Sequence, residues 1–205
     1  MPAPANAPAW AAELALAYES GASSQFVLFG NVHDRLPVGG GLVNLADYLE
    51  NTLLAGFDVV LSYDLGNGLL FERGGNVVEK WQGAELRNRM REPLQAIQWI
   101  GSYLRYLGNL RALGSKERIP NVAVILRGID HIVPADGSGF EHGSLTSMLR
   151  AWASESPFRD LPFASILIAD NINDVEPQIA TAAHATRIRV PLPDLNEERR
   201  RELTK

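Results

Sequence analysis

Short, nearly unbroken apolar runs alternate along the chain with longer segments in which apolar residues recur at helical spacing. The apolar runs are residues 25–30, 57–63, 121–126, 164–169 and 187–190, and the helical segments are 10–19, 45–53, 82–113 and 144–153. Unbroken apolar runs of this length are typical of strands buried on both faces of a parallel sheet. The alternation therefore predicts a three-layer α/β domain with a mostly parallel five-stranded sheet and helices on both faces.

Turn and cap residues divide these segments. Gly66-Asn67-Gly68 is a turn signal, so residues 69–72 can return as a hairpin partner of the preceding strand. Pro93 is suited to start a helix, and Asn44 resembles a helix N-cap. Residues 31–41, with Pro37 and three glycines, are predicted to form a loop.

Composition narrows the function classes. The chain has 205 residues, a net charge of −5 and no cysteine. The negative charge argues against a nucleic-acid partner, and the lack of cysteine excludes disulfides and thiol chemistry. Apolar runs stay far below membrane-spanning length, and residues 1–8 lack the basic start of a signal peptide. We therefore expect a cytoplasmic location without membrane contact.

The order of elements in the second half resembles the AAA ATPase family over residues 121–205. The matching pieces are a strand at 122–126, a helix at 145–152, a strand with the residues after it at 166–171, a turn and helix at 175–179, a strand with a Leu-Pro-Asp motif at 188–194, and a charged segment from 197. Each piece is weak alone, but the order and spacing are more specific. In this resemblance Asn171 occupies the position of the sensor residue, and residues 195–205 begin the lid.

The phosphate-binding loop of that family has no counterpart in this sequence. Such a loop needs Gly-x-x-x-x-Gly-Lys-Ser/Thr, because its amides and lysine hold the phosphates and its hydroxyl holds magnesium. This chain has no Gly-Lys pair, and in the loop at 30–41 Asp34 offsets Arg35, the only fixed positive charge. Positions that could retain a vestige of nucleotide binding are Asn31, Gly39, Gly40, Gly41, Asp130 and Asn171.

The acidic strand end of the family is also altered. Where the resemblance expects Asp for magnesium and Glu for water activation, the chain has Arg127 and Gly128, and only Asp130 remains nearby. We therefore expect no catalytic residue, no metal and no cofactor in this chain. The resemblance implies a degenerate N-terminal module of a larger, tandem AAA protein that forms rings and uses ATP and magnesium downstream.

The resemblance also implies a domain division: an arm and short helix at 1–22, the AAA-like domain at 23–194, and the start of a lid helix at 195–205. The charged end of the chain, with helix-forming composition, favours a piece of a longer protein.

Several residues have alternative interpretations. The glycines at 39–41 could bind an anion or could form a flexible connection. Asn171 could orient a phosphate or could cap the turn at 173–174. The pair Asp130-His131, with His33-Asp34 and Asp64, could form an acid–base or metal site, or could cap helices and turns.

An Arg-rich and aromatic helical segment is the candidate interface. It contains Arg87, Arg91, Trp99 and Arg105. Aromatic residues and arginine are enriched in protein interfaces, although such a run is often a solvated face. The expected partners are a second copy, a neighbouring AAA module or another protein.

Three functions remain open at this point. The first is a non-catalytic AAA-like module for assembly or partner engagement. The second is a nucleotide-binding ATPase domain with an atypical phosphate loop. The third is an unrelated doubly wound binding domain, for which the strand order would be 2-1-3-4-5. The AAA resemblance instead predicts that the first strand lies next to the sensor strand.

Overall fold

A computed structural model describes residues 1–4, 7–38, 41–79, 81 and 90–192. The strands are β1 (Gln25–Gly30), β2 (Leu36–Val38), β3 (Gly41–Val43), β4 (Val59–Asp64), β5 (Gly68–Arg73), β6 (Val122–Arg127), β7 (Phe163–Ala169) and β8 (Ala185–Val190). The helices are α1 (Ala9–Glu19), α2 (Leu45–Tyr48), α3 (Gly75–Val78), α4 (Pro93–Ala112), α5 (Ile129–Ile132), α6 (Gly139–Ser154) and α7 (Pro177–Ala180). A π-helical turn, Leu49–Leu53, continues α2.

The main sheet has six strands in the order β5-β4-β6-β7-β1-β8. All neighbouring pairs are parallel except β4 and β5, which form an antiparallel hairpin. The hairpin adds a sixth strand to the five that the apolar runs predict. β1 lies beside β7, which confirms the predicted AAA-like order. β4, the next strand of this sheet along the chain, lies three places from β1, so the 2-1-3-4-5 order of the unrelated alternative is absent.

The central strands are buried on both faces, which explains why their apolar runs are unbroken. In β1, Val27 belongs to one core cluster, whereas Phe26 and Leu28 belong to the other. Residues from α4 and α6 pack in the first cluster, and residues from α1 and α2 pack in the second. Successive side chains of a strand point to opposite faces, so the two clusters are the two layers of a three-layer domain.

The helix α4 lies in the core rather than on the surface. It begins at Pro93, as predicted, and the part of the predicted helical segment at 82–89 lies outside the described residues. Trp99 is only 5% exposed, and its ring contacts Phe71 at 5.5 Å and Trp81 at 5.1 Å between centroids. The side chain of Trp99 therefore stabilises the core, where a neighbouring subunit would not reach it.

Three local predictions are corrected. The predicted loop at 31–41 contains strand β2, which pairs with β3 in an antiparallel hairpin. The helix α6 begins at Gly139, earlier than the predicted start at 144. The N-terminal residues are not a loose arm in their described part, because Met1, Ala3 and Ala7 pack against the second core cluster.

The strand β8 forms one edge of the sheet. It pairs with β1 on one side, and no second neighbour is present among the residues that the structure describes. Ile188 and Val190 are buried, whereas Arg187 and Arg189 alternate with them and are exposed. Within the described ranges, no helix is long and apolar enough to span a bilayer.

Candidate functional site

Two adjoining cavities lie where the parallel strands end, which is the edge at which open α/β sheets bind ligands. The first cavity, of about 270 Å³, is walled by residues that follow β1, β6 and β7. The second, of about 260 Å³, extends to the turn after β4. Both are lined by Arg127, Gly128 and His131, so they adjoin at these three residues. We call the two cavities together the carboxyl-edge groove.

Arg127 makes an ion pair across the groove. Tyr63 lies opposite Leu126 in the parallel pairing of β4 and β6, and therefore the next residues, Asp64 and Arg127, are neighbours. An Nη atom of Arg127 lies 2.6 Å from Oδ2 of Asp64. A guanidinium thus stands where the family resemblance expects a magnesium-binding carboxylate.

Asp64 is held in place by its own turn as well. Its Oδ1 accepts hydrogen bonds from the backbone N–H groups of Gly66 at 2.9 Å and Asn67 at 2.8 Å. Burial pushes the pKa of Asp64 upward, but the hydrogen bonds from Asn67 and the charge of Arg127 outweigh it and leave the pKa below its usual value. Asp64 is therefore a charged, well-satisfied turn cap rather than a free acid.

Gly128 adopts a conformation that its position in the turn requires. Its φ is 67°, in the left-handed region, and it caps the N-terminus of α5. A side chain at this position would be strained, because residues with a Cβ seldom adopt that region. The backbone is thus unsuited to a glutamate where the resemblance expects the water-activating acid.

Asp130 is the buried acid of the groove. It is 6% exposed and lines the first cavity. Its Oδ2 accepts a hydrogen bond from the backbone N–H of Asp170 at 3.3 Å, whereas its Oδ1 has no partner among the described residues. A buried carboxylate oxygen without a donor is unfavourable, so the folded chain would be stabilised if this oxygen acquired one.

The loop after β1 does not form a phosphate cradle in its described part. The side-chain amide of Asn31 donates to Asp34, and the Nε2 atom of His33 lies 2.7 Å from Oδ1 of Asp170. Gly41 pairs with Val38 in the β2–β3 hairpin. Gly39 and Gly40 lie outside the described residues.

Asn171 lies directly after β7, at the position that the resemblance assigns to the sensor residue. Its Oδ1 accepts a hydrogen bond from the backbone N–H of Asn173 at 3.1 Å, so it caps the following turn. This contact favours the structural interpretation of Asn171. The preceding residue, Asp170, lines the groove instead, and the sequence analysis did not select it.

Two of the remaining candidate interface residues, Arg91 and Arg105, lie in the part of the chain that the structure describes. Arg105 lies over the ring of Phe158, with its guanidinium carbon 5.3 Å from the ring centroid. Arg91 is exposed, and its backbone carbonyl accepts a hydrogen bond from the hydroxyl of Tyr63 at 2.6 Å. Arg87 lies outside the described residues. With Trp99 in the core, a shared patch of the four residues has no support from the described part of the chain.

One further charged contact was not predicted. Nε2 of His142, in α6, lies 2.9 Å from Oε2 of Glu176, and both side chains are nearly buried. The hydrogen bond from His142 lowers the pKa of Glu176, and burial partly opposes it. The two residues are 34 positions apart, in α6 and at the N-cap of α7, so no local sequence pattern indicates that they form a pair. Across the described ranges, no group of three or more His, Asp or Glu side chains could hold a metal ion.

Strand order and the position of the groove define an AAA-like α/β module. The profile of one family, the AAA+ chaperone N-terminal Rossmann-like domain, matches residues 1–191. The chain therefore belongs to this family.

A solved structure gives a weaker likeness. A chain in the E. coli MS115-1 HORMA:CdnC:Trip13 complex is 14% identical, with a TM-score of 0.47, and the match covers 89% of this chain and 53% of that one. This chain thus spans about half the length of that relative. No curated protein matches this chain.

Proposed function

We propose that this domain is a non-catalytic AAA-like module. It serves in assembly of an oligomer or in engagement of a protein partner, and ATP hydrolysis resides in a downstream module of the parent protein. Membership of the AAA+ chaperone family supports the general assignment. Arg127 and Gly128, at the positions where the family resemblance expects two catalytic acids, support the non-catalytic role.

The observation that carries the proposal is the ion pair between Arg127 and Asp64 at 2.6 Å. Phosphoryl transfer depends on positioning and on neutralising phosphate charge, largely through magnesium held by a carboxylate. At this point of the fold the chain has a guanidinium, which repels a divalent cation. The nearest acid, Asp64, is already engaged by that guanidinium.

The phosphate side of the site gives independent support. A triphosphate needs backbone N–H groups and a lysine that face it. Here the described residues after β1 form a polar turn and a hairpin, and the groove contains two further carboxylates, Asp130 and Asp170. Those negative charges would repel a phosphate chain.

A nucleotide titration of the chain tests the proposal. We expect ATP, with or without magnesium, to leave the melting temperature unchanged. Ligand at about 100 times its Kd would stabilise the folded chain by about 2.7 kcal/mol. For a domain of this size that would raise the melting temperature by roughly 5–10 °C.

Calorimetric titration of the same sample provides the second readout. Saturable heat that depends on magnesium, and that is lost in Asp130→Asn, would contradict the non-catalytic assignment. In the parent protein we expect ATPase activity to survive removal of this domain's groove charges, while assembly or partner binding changes.

A further inference from the structure

The carboxyl-edge groove is lined by three carboxylates, Asp64, Asp130 and Asp170, by one guanidinium, that of Arg127, and by His33 and His131. Asp64 and Arg127 pair with each other, which leaves Asp130 and Asp170. Asp170 has His33 as its partner, and one oxygen of the buried Asp130 lacks any donor among the described residues. Two carboxylates with so little compensation favour a cationic group from outside.

The walls between these acids are apolar. Val32, Leu45 and Ile168 line the first cavity and are nearly buried. Leu65 lines the second cavity and is 47% exposed. An occupant therefore meets both carboxylates and aliphatic side chains, which fits the charged head and aliphatic stem of a lysine or arginine side chain.

Exposed apolar side chains surround the same edge of the sheet. Leu42 lies in the hairpin after β1, Leu192 follows β8, and Phe140 lies in the first turn of α6, which follows β6 and α5. Their side chains are 61%, 74% and 86% exposed. The carboxyl ends of parallel strands lie on the same side of a sheet, so these residues lie on the same side of the molecule as Leu65 and the groove. Exposed apolar residues on one side of a protein can contribute to an interaction site.

The negative charge extends beyond the groove along this edge. Burial, together with the negative charges of Glu92, Asp64 and Glu141, raises the pKa of Tyr63 to about 12. Both Glu92 and Glu141 are exposed, and they act on Tyr63 near the carboxyl end of β4. These acids lie near the carboxyl end of β4, where the exposed Arg91 is also found.

We infer that the carboxyl-edge groove docks a basic segment of a partner protein. A lysine or arginine side chain enters toward Asp130 and Asp170, and its apolar neighbours pack on Leu65 and the exposed apolar side chains around it. The inference rests on the proposed function, because a nucleotide in the same groove would compete with the segment. A second copy of the chain is disfavoured as the occupant, because each copy carries a net charge of −5.

Selection from a display library of random short peptides on the immobilised chain tests this inference without assuming a partner. We expect enrichment of peptides that combine Arg or Lys with Leu, Ile or Phe. The best peptide is then synthesised and titrated into the chain. We expect saturable binding that weakens as salt is raised, because the attraction between exposed charges is screened.

Two variants remove the charges of the groove. Asp130→Asn keeps an oxygen for the N–H of Asp170, and Asp170→Asn changes an exposed side chain and keeps an oxygen for His33. We expect each to weaken peptide binding by about tenfold or more. Glu155→Gln is the matched control and should leave binding unchanged. This exposed acid follows α6, at the side of the sheet where the parallel strands begin.

The apolar contact has its own pair of variants. Leu65→Ser should weaken binding several-fold, whereas Leu113→Ser should have no effect. Leu113 is 83% exposed and lies after α4, at the side of the sheet where the parallel strands begin. An effect of equal size from both substitutions would contradict docking at the groove.

Three results would overturn the inference. One is a selection that enriches no peptides, or acidic ones. Another is peptide binding that is insensitive to both Asp130→Asn and Asp170→Asn. The third is displacement of the peptide by ATP with magnesium, which would refute the proposed function as well. If either of the first two results is found and the chain does not bind ATP, the docking of a basic segment is refuted. The non-catalytic assignment then remains intact.

Discussion

Replacing Arg127 with methionine removes one half of the ion pair that occupies the expected magnesium position. The side chains of Arg127 and Asp64 are 35% and 19% exposed. Removing one partner of a fully buried pair destabilises a protein by about 3–5 kcal/mol, whereas exposed pairs contribute about 0–1 kcal/mol. This half-buried pair should lie between the two limits.

Two features of the pair reduce the expected loss. Asp64 keeps the hydrogen bonds from the backbone N–H groups of Gly66 and Asn67. The methionine also removes the Nε–H of Arg127, a buried donor that lacks an acceptor among the described residues. We therefore expect Arg127→Met to lower the free energy of unfolding by about 1–2 kcal/mol, and the melting temperature by roughly 2–8 °C.

Urea unfolding of Arg127→Met, Asp64→Asn and the double variant isolates the pair. We expect a coupling energy of about 1–2 kcal/mol at neutral pH. Because the pKa of Asp64 is lowered in the folded state, the stabilisation is fully present above its unfolded pKa of about 3.9 and is lost as pH falls through the folded value. The coupling should therefore vanish in strong acid.

A second ion pair in the same chain serves as the control. Arg118 lies 3.1 Å from Asp58, and the two side chains are 76% and 30% exposed. The same cycle with Arg118→Met and Asp58→Asn should give a coupling energy below about 1 kcal/mol. Equal coupling in the two cycles, or no coupling between Arg127 and Asp64, would refute the role assigned to burial.

Two further predictions concern packing and a helix cap. Gly108→Ala should destabilise the chain by about 1–3 kcal/mol, because its Cβ would lie 2.4 Å from Cβ of Pro157. Gly143→Ala in α6 should stabilise the chain by about 0.4–1 kcal/mol, because nothing lies within 4 Å of the added Cβ. The urea midpoints of the two glycine variants should therefore shift in opposite directions, and a shift in the same direction would contradict the role of Pro157 in packing. Glu176→Gln should lower the free energy of unfolding by about 1–3 kcal/mol at neutral pH, because it removes the charge that His142 contacts at 2.9 Å. The pKa of Glu176 is lowered in the folded chain, so this loss should shrink as pH falls below about 4, which unfolding curves in acid would reveal or exclude.

The parallel strands were predictable because burial on both faces leaves unbroken apolar runs. Elements that are short or exposed do not produce unbroken apolar runs, so the sequence does not predict them in this way. The first turn of α6 was missed because Phe140 faces solvent and breaks the helical pattern. The β2–β3 hairpin was taken for a loop because Pro37 and the glycines after it are typical of loops. The π-helical turn after α2 keeps Leu45, Leu49 and Leu53 buried, as an α-helix would, so periodicity could not distinguish the two.

The site was predictable only in part. The sequence places Arg127 and Gly128 directly after an apolar strand, where the family resemblance expects two acids. It did not reveal the partner of Arg127, because Asp64 becomes its neighbour only through the register between β4 and β6. Trp99 was assigned to an interface from its residue type, but aromatic residues also fill cores, and only the packing distinguishes the two.

The arginines of β8 affect how this domain behaves at high concentration. An open edge strand offers a row of backbone groups on which another chain can extend the sheet, and closely spaced charges on such a strand oppose that extension. Arg187 and Arg189 would be brought against the like charges of a second copy if two β8 strands met. The charge repulsion therefore opposes the growth of a fibre through β8, and a concentrated solution of the domain should resist amyloid-like aggregation.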